Sequence, residues 1–183
     1  MTATIASTTR SCATSCSAFL VGGVNTTQSQ LAHTLRPFST HPEQWALLAD
    51  QAELAQRPST RVLRVAPVTP FTARIIVSDF EHRGVTFPAG TIVMICAHAA
   101  NRDEAGGGPA FDITREGVGK RALTFGAGIH YCLGANLARA ELGEALAFLA
   151  PRMQGLELDG EPGYDSVHGI YGLLELPVRW NPV

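Results

Sequence analysis

Residues 125–134 read Phe125-Gly126-Ala127-Gly128-Ile129-His130-Tyr131-Cys132-Leu133-Gly134 and run straight into a segment of helical periodicity, a junction that few folds accommodate. Three glycines in ten residues let the backbone turn sharply and approach a flat, bulky group closely. Cys132 stands just before the helix start, where unpaired amide N–H groups and the positive end of the helix dipole favour a thiolate. His130, two residues earlier, can meet an anionic group on the same ligand. Beyond the loop, Leu133, Leu137, Leu142, Ala145, Leu146 and Leu149 mark an apolar helix face, Glu141 and Glu144 a polar one, and Pro151 the stop.

The rest of the 183 residues reads as an α+β mixture, mainly helical with small sheets. Residues 1–16, rich in Ser, Thr, Ala and Cys, read as an unstructured leader, and 17–183 as one folded domain. A helix from Ser17 to about Leu35 contains Gly22-Gly23 and Thr26-Thr27, features at which helices open or bend, and Pro37 is expected to end or kink it. Thr40-His41-Pro42-Glu43 reads as a capping box for a second helix through Trp45, Leu47 and Leu48. A polar stretch, Asp50 to Arg57, leads to Pro58. Strand character follows at Arg74-Ile75-Ile76-Val77, Gly84 to Phe87 and Thr91 to Cys96, with a turn at Pro88-Ala89-Gly90. Asn101 to Pro109 is loop, and Leu173 to Trp180 a final strand.

Composition bounds the function. A formal charge of -2 offers no electrostatic case for nucleic acid or an anionic membrane as partner. No apolar run approaches a membrane span, and the first residues lack a secretory pattern, so a cytoplasmic protein without disulfides is expected. Cys12 and Cys16 share a helical spacing but have no matching second pair, which leaves a zinc-bound interaction module as a minor reading; Cys96 reads as a buried small hydrophobe.

A lone cysteine before a helix is ordinarily an inert, packed side chain. The full spacing F-G-x-G-x-H-x-C-x-G, entering an apolar helix, points instead to a thiolate ligand for haem iron. This segment resembles the haem-binding loop of the cytochrome P-450 family, most clearly its soluble bacterial members. The resemblance implies haem b held by Cys132, with Phe125 packed beside it, His130 on a propionate, and Gly126, Gly128 and Gly134 shaping the loop. Other stretches match in order. Gly22-Gly23-Val24-Asn25-Thr26-Thr27 resembles the family's oxygen-binding groove, Arg74 within Phe71-Thr72-Ala73-Arg74 its propionate-binding arginine, and His168-Gly169-Ile170 through Trp180 its C-terminal strands. Thr26 would then hydrogen-bond dioxygen and help pass protons to it, with Asn25 beside it. The fold implied is the C-terminal portion of the P-450 fold, covering about residues 19–180.

Three positions depart from the family pattern. Asn25 stands where an acid is usual, and an amide orients water but relays no proton as a carboxylate does. Arg61-Val62-Leu63-Arg64 replaces a buried Glu-x-x-Arg pair, and burying two unpaired arginines costs several kcal/mol in effect. The loop from Asn101 to Phe111 is shorter than the pattern. The chain is also under half the family's usual length, which is expected to leave apolar surface exposed. The activity implied is a haem-thiolate monooxygenase that inserts one atom of dioxygen into a small organic substrate, with electrons from a ferredoxin or flavodoxin-like donor. Arg115, Lys120, Arg121 and Arg139 are candidates for the donor surface. The alternative is a haem-binding protein without turnover.

Overall fold

A computed structural model of the chain describes residues 9–103, 108–115, 122–167 and 170–182. The helices are α1 (Thr9–Ser39), α2 (Pro42–Asp50), α3 (Gln56–Val65), α4 (Ala97–Ala100) and α5 (Ala135–Leu149). The strands are β1 (Phe71–Ile75), β2 (Phe80–His82), β3 (Val85–Phe87), β4 (Ile92–Cys96), β5 (Met153–Leu158), β6 (Gly163–Val167), β7 (Ile170–Glu175) and β8 (Val178–Pro182). They pair as antiparallel two-stranded sheets, β1 with β4, β2 with β3, β5 with β8 and β6 with β7. This is the helical fold with small sheets that the periodicity suggests.

Several expectations are corrected. Helix α1 begins at Thr9, so residues 9–16 are not an unstructured leader. That segment contains neither Gly nor Pro, and extending a helix already nucleated costs little per residue. Residues 1–8 lie outside the described residues. Gly22-Gly23 does not interrupt α1, and Pro37 sits inside its last turn. Thr40 does not cap α2: its Oγ1 donates back to the Pro37 carbonyl (3.0 Å), and α2 starts on His41 with Pro42 in its first turn and no side-chain cap. The competing demand was the set of orphan carbonyls ending α1, which Thr40, Ser39 and His41 satisfy. The run before Pro58 is helical too, a short 3-10 turn at Ala52–Ala55 followed by α3. Proline is tolerated there because it falls in the first turn, where amide groups have no helical partner anyway.

The core gathers Phe38, Trp45, Leu48, Val62, Ile113, Leu146 and Leu156 from α1, α2, α3, α5, β5 and the loop after α4. Phe38 packs its ring 5.0 Å from Trp45 and 5.1 Å, edge-on, from Phe111. The Trp45 indole N–H donates to the Met153 carbonyl at 2.7 Å and fixes α2 to β5. Trp45→Phe keeps an aromatic ring in the core but leaves a small cavity and strands that carbonyl. We expect it to lower stability by about 1–2 kcal/mol, read as a shifted urea midpoint at unchanged slope. An unmoved midpoint would mean that water replaces the indole.

Helix α5 turns only part of its apolar residues inward. Ala135, Leu142, Gly143 and Leu146 are buried, whereas Leu137 is 63% and Leu133 81% exposed. At 3.6 residues per turn Leu137 points roughly opposite to Leu142, and Leu133 precedes the helix. Phe19, Leu20 and Val24 on α1, and Ile75, Ile92 and Met94 on the β1–β4 ribbon, are also more than half exposed, the apolar surface that the short chain leads one to expect.

Candidate functional site

The loop before α5 owes its shape to its glycines. Gly126 and Gly128 have φ of +73° and +72°, a region that side chains with a Cβ avoid. The Cys132 amide donates back to the Phe125 carbonyl at 2.9 Å, closing the loop, and a 3-10 turn at Gly128–His130 fills it. Cys132 then sits three residues before the first residue of α5, its side chain exposed and without a disulfide partner. A Cβ on Gly134 would lie 4.0 Å from Cys132 Sγ, ordinary contact, so the thiol is not crowded from that side.

Arg139, one turn into α5, braces the loop. Its guanidinium lies 4.6 Å from the centre of the Phe125 ring and donates to the Tyr131 hydroxyl at 3.0 Å. Phe125 and Tyr131 meet edge to face at 6.4 Å. The sequence marks Arg139 only as one of a group of surface charges. The structure makes it a prop for the loop, through a cation–π contact that linear spacing gives no sign of.

A second set of contacts fixes the approach to the loop. Asn101 is buried; its Oδ1 accepts from the Leu123 amide (2.7 Å) and its Nδ2 donates to Thr124 Oγ1 (2.9 Å), which donates to the Leu63 carbonyl (2.6 Å). Arg64, 1% exposed, donates to the carbonyls of Asn101 (2.8 Å), Ala110 (2.8 Å) and Gly108. Arg64 is therefore not buried unpaired, as the loss of the usual carboxylate leads one to expect. Backbone carbonyls, arranged by the loop after α4, take its charge. Its Nε alone finds no partner. Burial first, then the charge of Arg61, hold the Arg64 guanidinium below its usual range, so the two arginines do repel. Arg61 is likewise buried.

Helix α1 and strand β1 form the opposite wall. Gln30 is buried and clamps α1 to the α3–β1 connection, its Nε2 donating to the Ala66 carbonyl (2.8 Å) and its Oε1 accepting from the Val68 amide (2.9 Å). Thr26 Oγ1 donates to the Gly22 carbonyl one turn back. In β1 the alternation of a strand puts Thr72 and Arg74 on the half-buried face and Phe71, Ala73 and Ile75 on the exposed one.

These walls enclose an open cleft of about 290 Å³, close to the lower end of small-molecule sites. Thr26, Arg74, Phe125, Gly126, His130 and Cys132 all line it. Of the other residues singled out in the sequence, Gly128 and Gly134 shape the loop without lining the cleft, and Asn25 is exposed on α1 and does not face it. Gln30, Thr124, Ala138 and Leu142 are among the other wall residues, and none of these was singled out for the site beforehand. The donor set suits haem: a thiol for iron, with a guanidinium and an imidazole on the same cleft for carboxylates. Cys16 is exposed, the Cys12 side chain lies outside the described residues, and among those described no three His, Cys, Asp or Glu gather to hold a metal ion. Lys120, Arg121, His168 and Gly169 also lie outside them. No described helix is long and apolar enough to cross a membrane.

Residues 62–150 match the family model described as cytochrome P-450. The chain is 42% identical over 167 residues to luteothin monooxygenase of Streptomyces thioluteus, an alignment that takes in 88% of this chain and 40% of that protein. It is 39% identical over 170 residues to nocardicin C N-oxygenase of Nocardia uniformis subsp. tsuyamanensis, covering 88% and 42%. Among solved structures, P450BioI in complex with an acyl carrier protein ligated to hexadec-9Z-enoic acid superposes with a TM-score of 0.88 at 34% identity, over 96% of this chain and 46% of that one. The chain thus spans less than half the length of the relatives it matches.

Proposed function

This chain belongs to the cytochrome P-450 family, and from that premise we propose that it binds haem b in the Thr26–Cys132 cleft, with Cys132 as the iron ligand, and serves as the haem-bearing part of a monooxygenase. The observation that carries the proposal is the convergence on one cleft of six residues drawn from α1, β1 and the loop before α5, which lie up to 106 positions apart, Thr26 to Cys132. Cys132 supplies sulfur from the loop that leads into α5. Arg74 and His130 offer a cation and a ring donor for the two propionates. Phe125, pinned by Arg139, would pack against the ligand. When bound, a thiolate-ligated haem supplies the chemistry of dioxygen activation.

On the α1 side, Thr26 holds its hydroxyl proton on the Gly22 carbonyl, so its oxygen keeps lone pairs free to accept a hydrogen bond. Rotation about the Cβ–Oγ1 bond would turn that proton toward the cleft, where Thr26 would donate a hydrogen bond to a bound ligand. Asn25, exposed and turned away, cannot relay it onward, so proton supply relies on water entering through the open side of the cleft. The substrate is a small organic molecule, and electrons come from a ferredoxin or flavodoxin-like donor. Arg115 is exposed, and Arg139 is occupied at Phe125.

That openness favours a second reading, haem binding without turnover, because Cys132 and His130 are exposed and bulk water is not excluded from the site. Peroxide-driven oxidation of a generic substrate by the haem-loaded chain separates the two, since peroxide removes the need for an electron partner. Product formation that falls at least several-fold in Thr26→Val supports the monooxygenase. Intact haem with no product supports the passive binder.

A further inference from the structure

Two further clefts, of about 470 and 300 Å³, share Arg36, Val65, Ala66 and Arg102 in their walls and have no wall residue in common with the Cys132 cleft. His41 faces the larger, and His33 and His98 face the smaller; no acidic residue lines either among the described residues. Arg102 contacts the His98 ring through Nη1, and Arg36 lies 5.5 Å from the centre of the Tyr164 ring. Burial and then the charge of Arg36 hold the Arg102 guanidinium below its usual range, and burial and then Arg102 do the same to His98. Cations that crowd one another are stabilised when a negative group joins them. An independent sign comes from His33. It is 4% exposed and lines the smaller cleft, yet its Nε2 has no hydrogen-bond partner. Buried polar atoms are rarely left so without an occupant to meet them.

We propose that Arg36 and Arg102 form a binding site for an oxyanion group, a phosphate ester or a carboxylate, separate from the Cys132 cleft. A guanidinium binds such a group through paired donors, and chloride, a single sphere, cannot use them in the same way. Only α1, the end of α3 and the residues after α4 are needed, so the site stands whether or not haem is bound. Titration of the full chain with inorganic phosphate, acetate or chloride at matched ionic strength, followed by thermal unfolding and by amide chemical shifts, tests it. A saturable rise in the unfolding midpoint with phosphate or acetate, absent with chloride, is expected. In Arg36→Gln, a change at an exposed position of α1, the apparent affinity falls at least tenfold. Arg102→Lys, which keeps the charge but loses the fork, weakens it several-fold. A response to phosphate alone assigns a phosphate-bearing ligand, and one to acetate alone a carboxylate-bearing ligand. No saturable response to either, or an equal response in Arg36→Gln, overturns the site.

Discussion

Arg64→Ala is expected to destabilise the chain by about 3–5 kcal/mol, the size of loss seen when one side of a buried charged contact is removed. Arg64 is 1% exposed and its donors serve the carbonyls of Asn101, Gly108 and Ala110. Asn101 is itself buried, so its carbonyl has no water to turn to, and its side chain holds Leu123 and Thr124 at the entrance to the Cys132 loop. The loss therefore reaches the site as well as the core. A typical domain is stable by only about 5–15 kcal/mol, so about a fifth or more of the total is at stake. Arg64→Lys is expected to recover little, because a single ammonium on a flexible stem cannot meet three carbonyls held in a fixed fork. Urea unfolding of the three proteins decides it. A loss under about 1 kcal/mol in Arg64→Ala would mean that water takes over the carbonyls and that Arg64 does not organise this part of the fold.

The readable parts of the site were those whose chemistry depends on local order. The loop from Phe125 to Gly134 carries its glycines, histidine and cysteine at fixed intervals, and Arg74 and Thr26 sit in short segments with their own character. The structure brings all three segments to one cleft. The supports of the site were not readable, because each spans a large sequence separation. Asn101 read as the start of a structureless loop, yet it ties Leu123 and Thr124 to the α3 region. Gln30 gave no sign of its clamp on Ala66 and Val68, 36 and 38 positions away.

The secondary structure shows the same division. Helix α5 and strand β4 were visible from periodicity and β-branched residues. Strands β5 and β6, Met153–Leu158 and Gly163–Val167, were missed, since glycines at Gly155 and Gly163 break the strand signature. Gly155 has φ of +64°, and the β5–β8 register shifts between Gln154 and Glu157, so the irregularity is built into the pairing. Arg61 reads as the loss of a carboxylate partner for Arg64. Its remedy was hidden, because backbone carbonyls carry no sequence signal.

Cys132→Ala is the substitution with the largest expected effect on ligand chemistry. It removes one sulfur from an exposed position and disturbs no buried contact, so the fold and the Arg64 network are expected to survive with urea midpoints within about 0.5 kcal/mol of wild type. Haem bound without that thiolate is expected to change the electronic character of its iron altogether. Separating stability from ligation in this way makes the variant informative whichever way it turns out.

The decisive measurement is the carbon monoxide difference spectrum of the reduced, haem-reconstituted chain. Wild type is expected to show the strongly red-shifted Soret band of thiolate-ligated haem, and Cys132→Ala to lose that band while staying folded. A wild-type chain that remains colourless with haemin, or a Cys132→Ala chain whose band is unchanged, would contradict ligation by that sulfur.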